Sequence, residues 1–258
     1  MKKLLTIALV LVMAVGMLAG CGDKKNDLGL AEPGKLIMST NATFPPYEMR
    51  ADDGSFIGID VEMADAIAKK LGLELQVDDM GFTAALEAVQ NGSSDIAMAG
   101  ITVREDRLAV MDFSDSYAKG VQVVIVPEDS DIKSIEDLEG KTIGCQMGTT
   151  GYIYASSAPE DGGYGEDHVT PYDNGITAVQ ALKGGQVDAV IIDKGPAESY
   201  VASNTGLKIL ETAWAVEDYA IAFNKGNTAL VEAVNGALKE LTEDGTVQKI
   251  IDKYISAK

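Results

Sequence analysis

The stretch AGITVREDRLAVMDFSD, residues 99–115, sets how the rest of the chain is read. It follows Asp95-Ile96-Ala97-Met98-Ala99, an acid and then four apolar residues, the pattern of a short buried strand that stops at Gly100. A helix-like segment is expected next. Gly100 and Thr102 leave a small-residue turn with free backbone N–H groups, and Arg107 falls about one helical turn further on, facing back toward it. Arginine presents a planar, permanently charged fork that matches a carboxylate, and two of the chain's three arginines are Arg104 and Arg107. Such a corner suits a carboxylate-bearing solute. The same run, Arg104-Glu105-Asp106-Arg107, also fits the water-facing first turn of a helix, and spacing alone leaves both readings open.

Upstream, residues 1–20 read as a signal peptide, with a basic start at Lys2 and Lys3 and an apolar run over 4–18 too short to span a membrane comfortably. Leu18-Ala19-Gly20-Cys21 resembles the bacterial lipobox, which implies an acylated Cys21 as the first mature residue and a lipid bilayer as a partner. An ordinary secretory signal is the alternative. Residues 21–34 are polar, end at Pro33-Gly34, and read as a flexible tether. Removing the first twenty residues leaves 19 basic against 40 acidic residues, a net charge of −21, which argues against nucleic acid as a partner. With Cys21 lipidated, Cys145 is the remaining thiol, so no internal disulfide is possible and stability rests on the core.

Beyond the tether, strands and helices alternate. Residues 35–40 and 73–77 read as strands, 61–71 as an apolar-faced helix with Asp60 as N-cap, and 82–89 as another helix. Further on, 121–126 is a continuous apolar strand, Ser134 opens a short helix, and 141–145, 168–172 and 187–192 are strands. Asn174 caps a helix over 176–183, and amphipathic helices cover 227–241 and 246–254. Repeated strand–helix–strand order points to parallel α/β sheets. In such sheets ligands sit at the carboxyl ends of strands, where Asn41-Ala42-Thr43-Phe44-Pro45-Pro46-Tyr47-Glu48 leaves the first one. Asp193 ends an otherwise apolar strand, where it is either a solute-facing acid or a cap or turn residue before Lys194-Gly195-Pro196.

Three separated motifs, NATFPPYE, GITVREDR with MDFSD, and VDAVIID, resemble those of the family 3 extracellular solute-binding proteins, the polar amino-acid-binding lipoproteins that feed ABC importers. The similarity runs from about residue 35 to 254. It implies a type II periplasmic-binding-protein-like α/β fold of two lobes, each a mostly parallel sheet flanked by helices. Lobe 1 would comprise 35–120 and 218–258, and lobe 2 121–217, with crossings near 118–122 and 216–219.

The resemblance also implies roles for individual residues. Arg107 would take an amino acid's carboxylate and Asp193 its ammonium, with Gly100 and Thr102 completing the pocket and Thr150 reaching the carboxylate from the other lobe. Phe44 and Phe82 would clasp the side chain, while Asn41, Glu48 and Gln146 read its identity. Relatives that favour cationic ligands often carry an acid at the Asn41 position, so a polar, uncharged side chain such as glutamine's is expected. The implied function is hinge closure on an L-amino acid outside the cytoplasm, by a monomer, and delivery to a membrane permease. No cofactor, metal or catalytic residue is implied. Two rivals are an enzyme resembling the cyclohexadienyl dehydratases, which share the fold, and a ligand-sensing module. His168, the sole histidine, lies in a polar loop, and no catalytic triad or metal-spaced cluster is visible.

Overall fold

Two apolar runs, 36–38 and 123–126, lie in interior strands, and a separate sheet grows around each. The computed structural model describes residues 28–211 and 213–255. In chain order the elements begin with β1 (Lys35–Thr40), β2 (Thr43–Phe44), β3 (Glu48–Arg50), β4 (Phe56–Ile57), α1 (Ile59–Leu71), β5 (Glu74–Asp79), α2 (Phe82–Gln90) and β6 (Ile96–Ala97). Then come α3 (Glu105–Leu108), β7 (Met111–Phe113), β8 (Ala118–Pro127), β9 (Ile143–Gln146), α4 (Thr150–Ser156), β10 (Val169–Tyr172) and α5 (Gly175–Lys183). The chain continues through β11 (Ala189–Asp193), α6 (Lys194–Ser203), β12 (Leu207–Ile209), β13 (Ala215–Tyr219), β14 (Ala222–Asn224), α7 (Thr228–Glu243) and α8 (Thr246–Tyr254).

The first sheet has the order β5-β1-β6-β14-β7, and only β14 runs against the others. In the second, β10-β9-β11-β8-β12, β8 is the reversed strand, and β13 pairs with its first half. Both sheets are therefore mostly parallel with helices packed on them, the expected class. Residues from β14 onward return to the first sheet, so that sheet is built from two distant parts of the chain. The two crossings pair with each other as an antiparallel ladder, from Ala118 opposite Tyr219 to Gln122 opposite Ala215. A short ladder shared by both crossings is a natural hinge.

Side-chain caps open some of the helices. Asn174 and Asn227 accept hydrogen bonds from the N–H groups of Thr177 and Leu230, capping α5 and α7, and Ser134 opens a 3-10 turn over Ile135–Leu138. Asp60 departs from expectation. The N-cap of α1 is Gly58, and Asp60, the second residue of the helix, is buried and accepts from the Gly100 N–H at 3.0 Å. The tether also ends sooner than expected: Leu28 and Leu30 pack against the core, the Asp95 carboxylate accepts from the Ala31 N–H at 2.7 Å, and Asn227 donates to the Leu28 carbonyl at 3.0 Å. Residues 28–34 are thus held on the first lobe. The signal peptide and Cys21 lie outside the described residues.

Candidate functional site

A cavity lies where the two sheets face each other across the hinge. Its walls are Asn41, Phe44, Glu48, Phe82, Ala99, Gly100, Thr102, Arg107, Gln146, Thr149, Thr150 and Asp193, so the ten residues singled out from the sequence converge on one space. Ala99 and Thr149 were not expected there.

Arg107 comes from α3, whose single turn folds it back over Thr102. The side chain is only 5% exposed; its guanidinium donates to the Thr102 carbonyl at 3.0 Å and, across the cleft, to the Gly148 carbonyl at 3.1 Å. The Phe82 ring lies 5.5 Å away. Among the described residues no acid forms an ion pair with it. Burial, and then the neighbouring Arg104, lower its pKa to about 10, so it is charged at neutral pH but poorly compensated. Arg104 itself is not a water-facing residue: it pairs with Asp106 at 2.9 Å and sits 5.1 Å from the Tyr154 ring of the other lobe.

Asp193 ends β11 and occupies the N-cap position of α6, but its side chain makes no capping bond and is turned inward. Of the two readings the sequence left open, the cap is excluded. It accepts from the Tyr219 hydroxyl, and burial pushes its carboxyl up to about 7. Tyr219 reaches it because residue 120 is glycine: a Cβ there would lie 2.3 Å from the tyrosine ring. Gly100 is equally constrained, with a φ of +54° and Phe44 and Tyr219 packed against its Cα.

The remaining polar walls are tied together. Asn41 donates to the Met80 carbonyl at 2.9 Å and accepts from Gln146 at 2.9 Å and Thr43 at 3.1 Å, bridging the lobes. Glu48 is fully buried with neither oxygen hydrogen-bonded; burial and then Asp60 raise its pKa well above the usual range. Thr102 and Thr150 both donate to one oxygen of Glu217, at 3.2 and 2.9 Å, and Gln122 donates to the same oxygen at 3.0 Å. Glu217 and Gln122 escaped the sequence reading. The available signal was the inverted alternation in β13, where Val216 is 70% exposed and Glu217 only 6%.

One face of this space thus carries a desolvated cation and another a desolvated anion, with aromatic rings between them. A model of the bacterial extracellular solute-binding proteins, family 3, matches residues 36–257. The chain belongs to this family. Among relatives of this family 3 protein is the arginine-binding extracellular protein ArtP of Bacillus subtilis, 36% identical over 262 residues and 99% of each chain. An ancestral arginine-binding protein solved with arginine is 40% identical with a TM-score of 0.80, covering 86% of this chain and 99% of that one. The ancestral arginine-binding protein solved with glutamine matches equally well, at 40% identity and a TM-score of 0.80 over 88% of this chain and 100% of that one. These relatives are binding proteins.

Proposed function

We propose that this family 3 protein captures an L-amino acid between its lobes and hands it to the permease of an ABC importer. What carries the reading is the pairing of Arg107 and Asp193 on the walls of one cavity. Each is buried at an electrostatic cost that a single molecule bearing a carboxylate and an ammonium would offset at both ends. Arg107 takes the carboxylate together with the N–H groups at Thr102 and Thr150. Asp193 takes the ammonium, beside Gly100. Phe44 and Phe82 hold the side-chain stem, and Asn41, Glu48 and Gln146 read its end.

We take the lobes to be 35–120 with 218–258, and 121–217, because β8 and β13 pair at these limits. The side chain selected is a polar one ending in N–H donors, glutamine's or arginine's. Of these, glutamine's is favoured by the uncharged Asn41 and Gln146, which stand together on the cavity wall. An acylated Cys21 would anchor the protein, as a monomer, on the outer side of the membrane.

A thermal-shift screen of refolded, ligand-stripped protein against the twenty L-amino acids, cystine and ornithine tests this directly. A ligand at ~100 times its dissociation constant adds about 2.7 kcal/mol of stability, a clear rise in Tm. Silence across the amino acids, with turnover of prephenate or arogenate, would replace the receptor with the enzyme.

A further inference from the structure

Glu217 lies in the crossing strand β13, behind the cavity wall rather than on it. One of its oxygens, Oε2, gathers three donors from three separate segments: Thr102 Oγ1 on the first lobe, Thr150 Oγ1 at the start of α4 on the second, and Gln122 Nε2 in the other crossing strand. Its second oxygen is buried with no hydrogen-bond partner. An apolar residue would be the cheaper filling for such a position, since β13 presents Val216 to solvent and the carboxylate to the interior.

A threonine hydroxyl has one hydrogen. Once Thr102 and Thr150 each give theirs to Glu217, both hydroxyl oxygens can offer the cavity only lone pairs. Thr150 Oγ1 additionally accepts from Gln122 Nε2 at 3.1 Å, which leaves it still less freedom. The two threonines stand on different lobes, so one carboxylate orients a wall group of each and draws them to a common point on the hinge.

We propose that Glu217 is a positioning residue of the amino-acid site, which sets the hydrogen-bond polarity of Thr102 and Thr150 and ties the closed arrangement of the lobes through them. The inference rests on the receptor reading above. Because Glu217 acts on the part of the site that meets the α-amino and α-carboxylate groups, its effect is the same for every amino acid bound. Side-chain preference stays with Asn41, Glu48 and Gln146.

The test is calorimetry on the full mature chain with two accepted amino acids, comparing wild type, Glu217→Gln, Thr150→Val and the double variant, with Tm measured for each ligand-free form. Glu217→Gln replaces the acceptor by a group of the same shape that also donates. It should weaken both ligands at least tenfold and leave their ranking intact. In the double variant the losses should fall well short of multiplying, since Glu217 works through the hydroxyl already removed. The exchange Glu217→Gln with Gln122→Glu, which returns a carboxylate to the same cluster, should recover most of the affinity. Unchanged affinity in Glu217→Gln overturns the proposal. So do losses that multiply in the double variant or that merely track Tm, the signature of a packing role. Failure of wild type to bind any amino acid would instead remove the receptor reading itself.

Discussion

At Arg107 the energetics of binding and of folding pull in opposite directions. The guanidinium is buried against two carbonyls and an aromatic ring without an acid to neutralise it, so in the ligand-free protein it is a cost to stability. Arg107→Ala should therefore lower amino-acid affinity by about 2–5 kcal/mol in calorimetry. Arg107→Met, which fills the same volume without charge, should bind as poorly while the ligand-free Tm holds or rises. A fall in Tm comparable to the affinity loss would contradict this. Asp193 supplies a pH dependence with a definite sign. Its folded pKa of about 7 lies above the ordinary carboxylate value, so its protonation stabilises the ligand-free fold at low pH, and that contribution is lost as pH rises through 7. Ligand needs the ionised form. Binding below pH 7 must expel the proton, and affinity should fall roughly tenfold per pH unit, to ~100-fold weaker at pH 5 than above pH 8. Calorimetry in buffers of differing ionisation enthalpy should register close to one proton released at pH 6, and Asp193→Asn should abolish both the release and the slope.

Elements differ in how far their residues announced them. Interior strands such as β1 and β8, and helices with capped, periodic faces such as α5 and α7, were legible because local pattern and tertiary burial agree there. The short strands β2, β7, β12 and β14 were not. Each is two or three residues long and owes its existence to partners far along the chain, as when Ala222 and Phe223 pair with Ala97 and Ile96. Helix α6 was left open between a helix start and a turn because Gly195-Pro196 looks like punctuation, although proline is tolerated in a first helical turn. Much of the cavity wall was legible for a different reason: Asn41, Phe44, Glu48, Gly100, Thr102, Arg107 and Asp193 fall in motifs shared with a family, whereas Glu217 and Gln122 belong to crossing strands that such motifs do not include. That β14 returns to the first sheet followed from the resemblance and from no local signal. Gly120 shows how an element can serve the site without touching it: Gly120→Ala would drive a Cβ into the Tyr219 ring and separate its hydroxyl from Asp193. Denaturant unfolding should show a loss of about 1–3 kcal/mol, the range for an overpacked interior, accompanied by weaker amino-acid binding. Wild-type behaviour in both would mean that β8 and β13 can separate at no cost.

On the scale of the whole molecule, closure is held by contacts spread around the cavity rather than by the solute alone. Arg107 donates to the Gly148 carbonyl, Gln146 to Asn41, and the Tyr200 hydroxyl to the Thr43 carbonyl, each from one side of the cleft to the other. Tyr200 matters most for a test because it lies in α6, outside the cavity, and contacts no solute. A ligand shifts the open–closed equilibrium only by its preference for the closed state, and any bond made only on closing adds to that preference for every ligand alike. Tyr200→Phe deletes one such bond, worth about 0.5–1.5 kcal/mol. Affinity for all accepted amino acids should drop by roughly two- to tenfold, through faster release, with their order unchanged. The sole tryptophan offers a direct view of the motion. Trp214 stacks edge-on against Tyr154 at 6.1 Å, and Tyr154 carries Arg104 of the opposite lobe over its ring. Opening the cleft withdraws that arginine, so Trp214 emission should change on adding ligand, and stopped-flow traces should show the signal decaying faster in Tyr200→Phe than in wild type. Equal decay rates would mean that Tyr200 stays bonded to Thr43 throughout, and that the lobes part along some line other than the cleft.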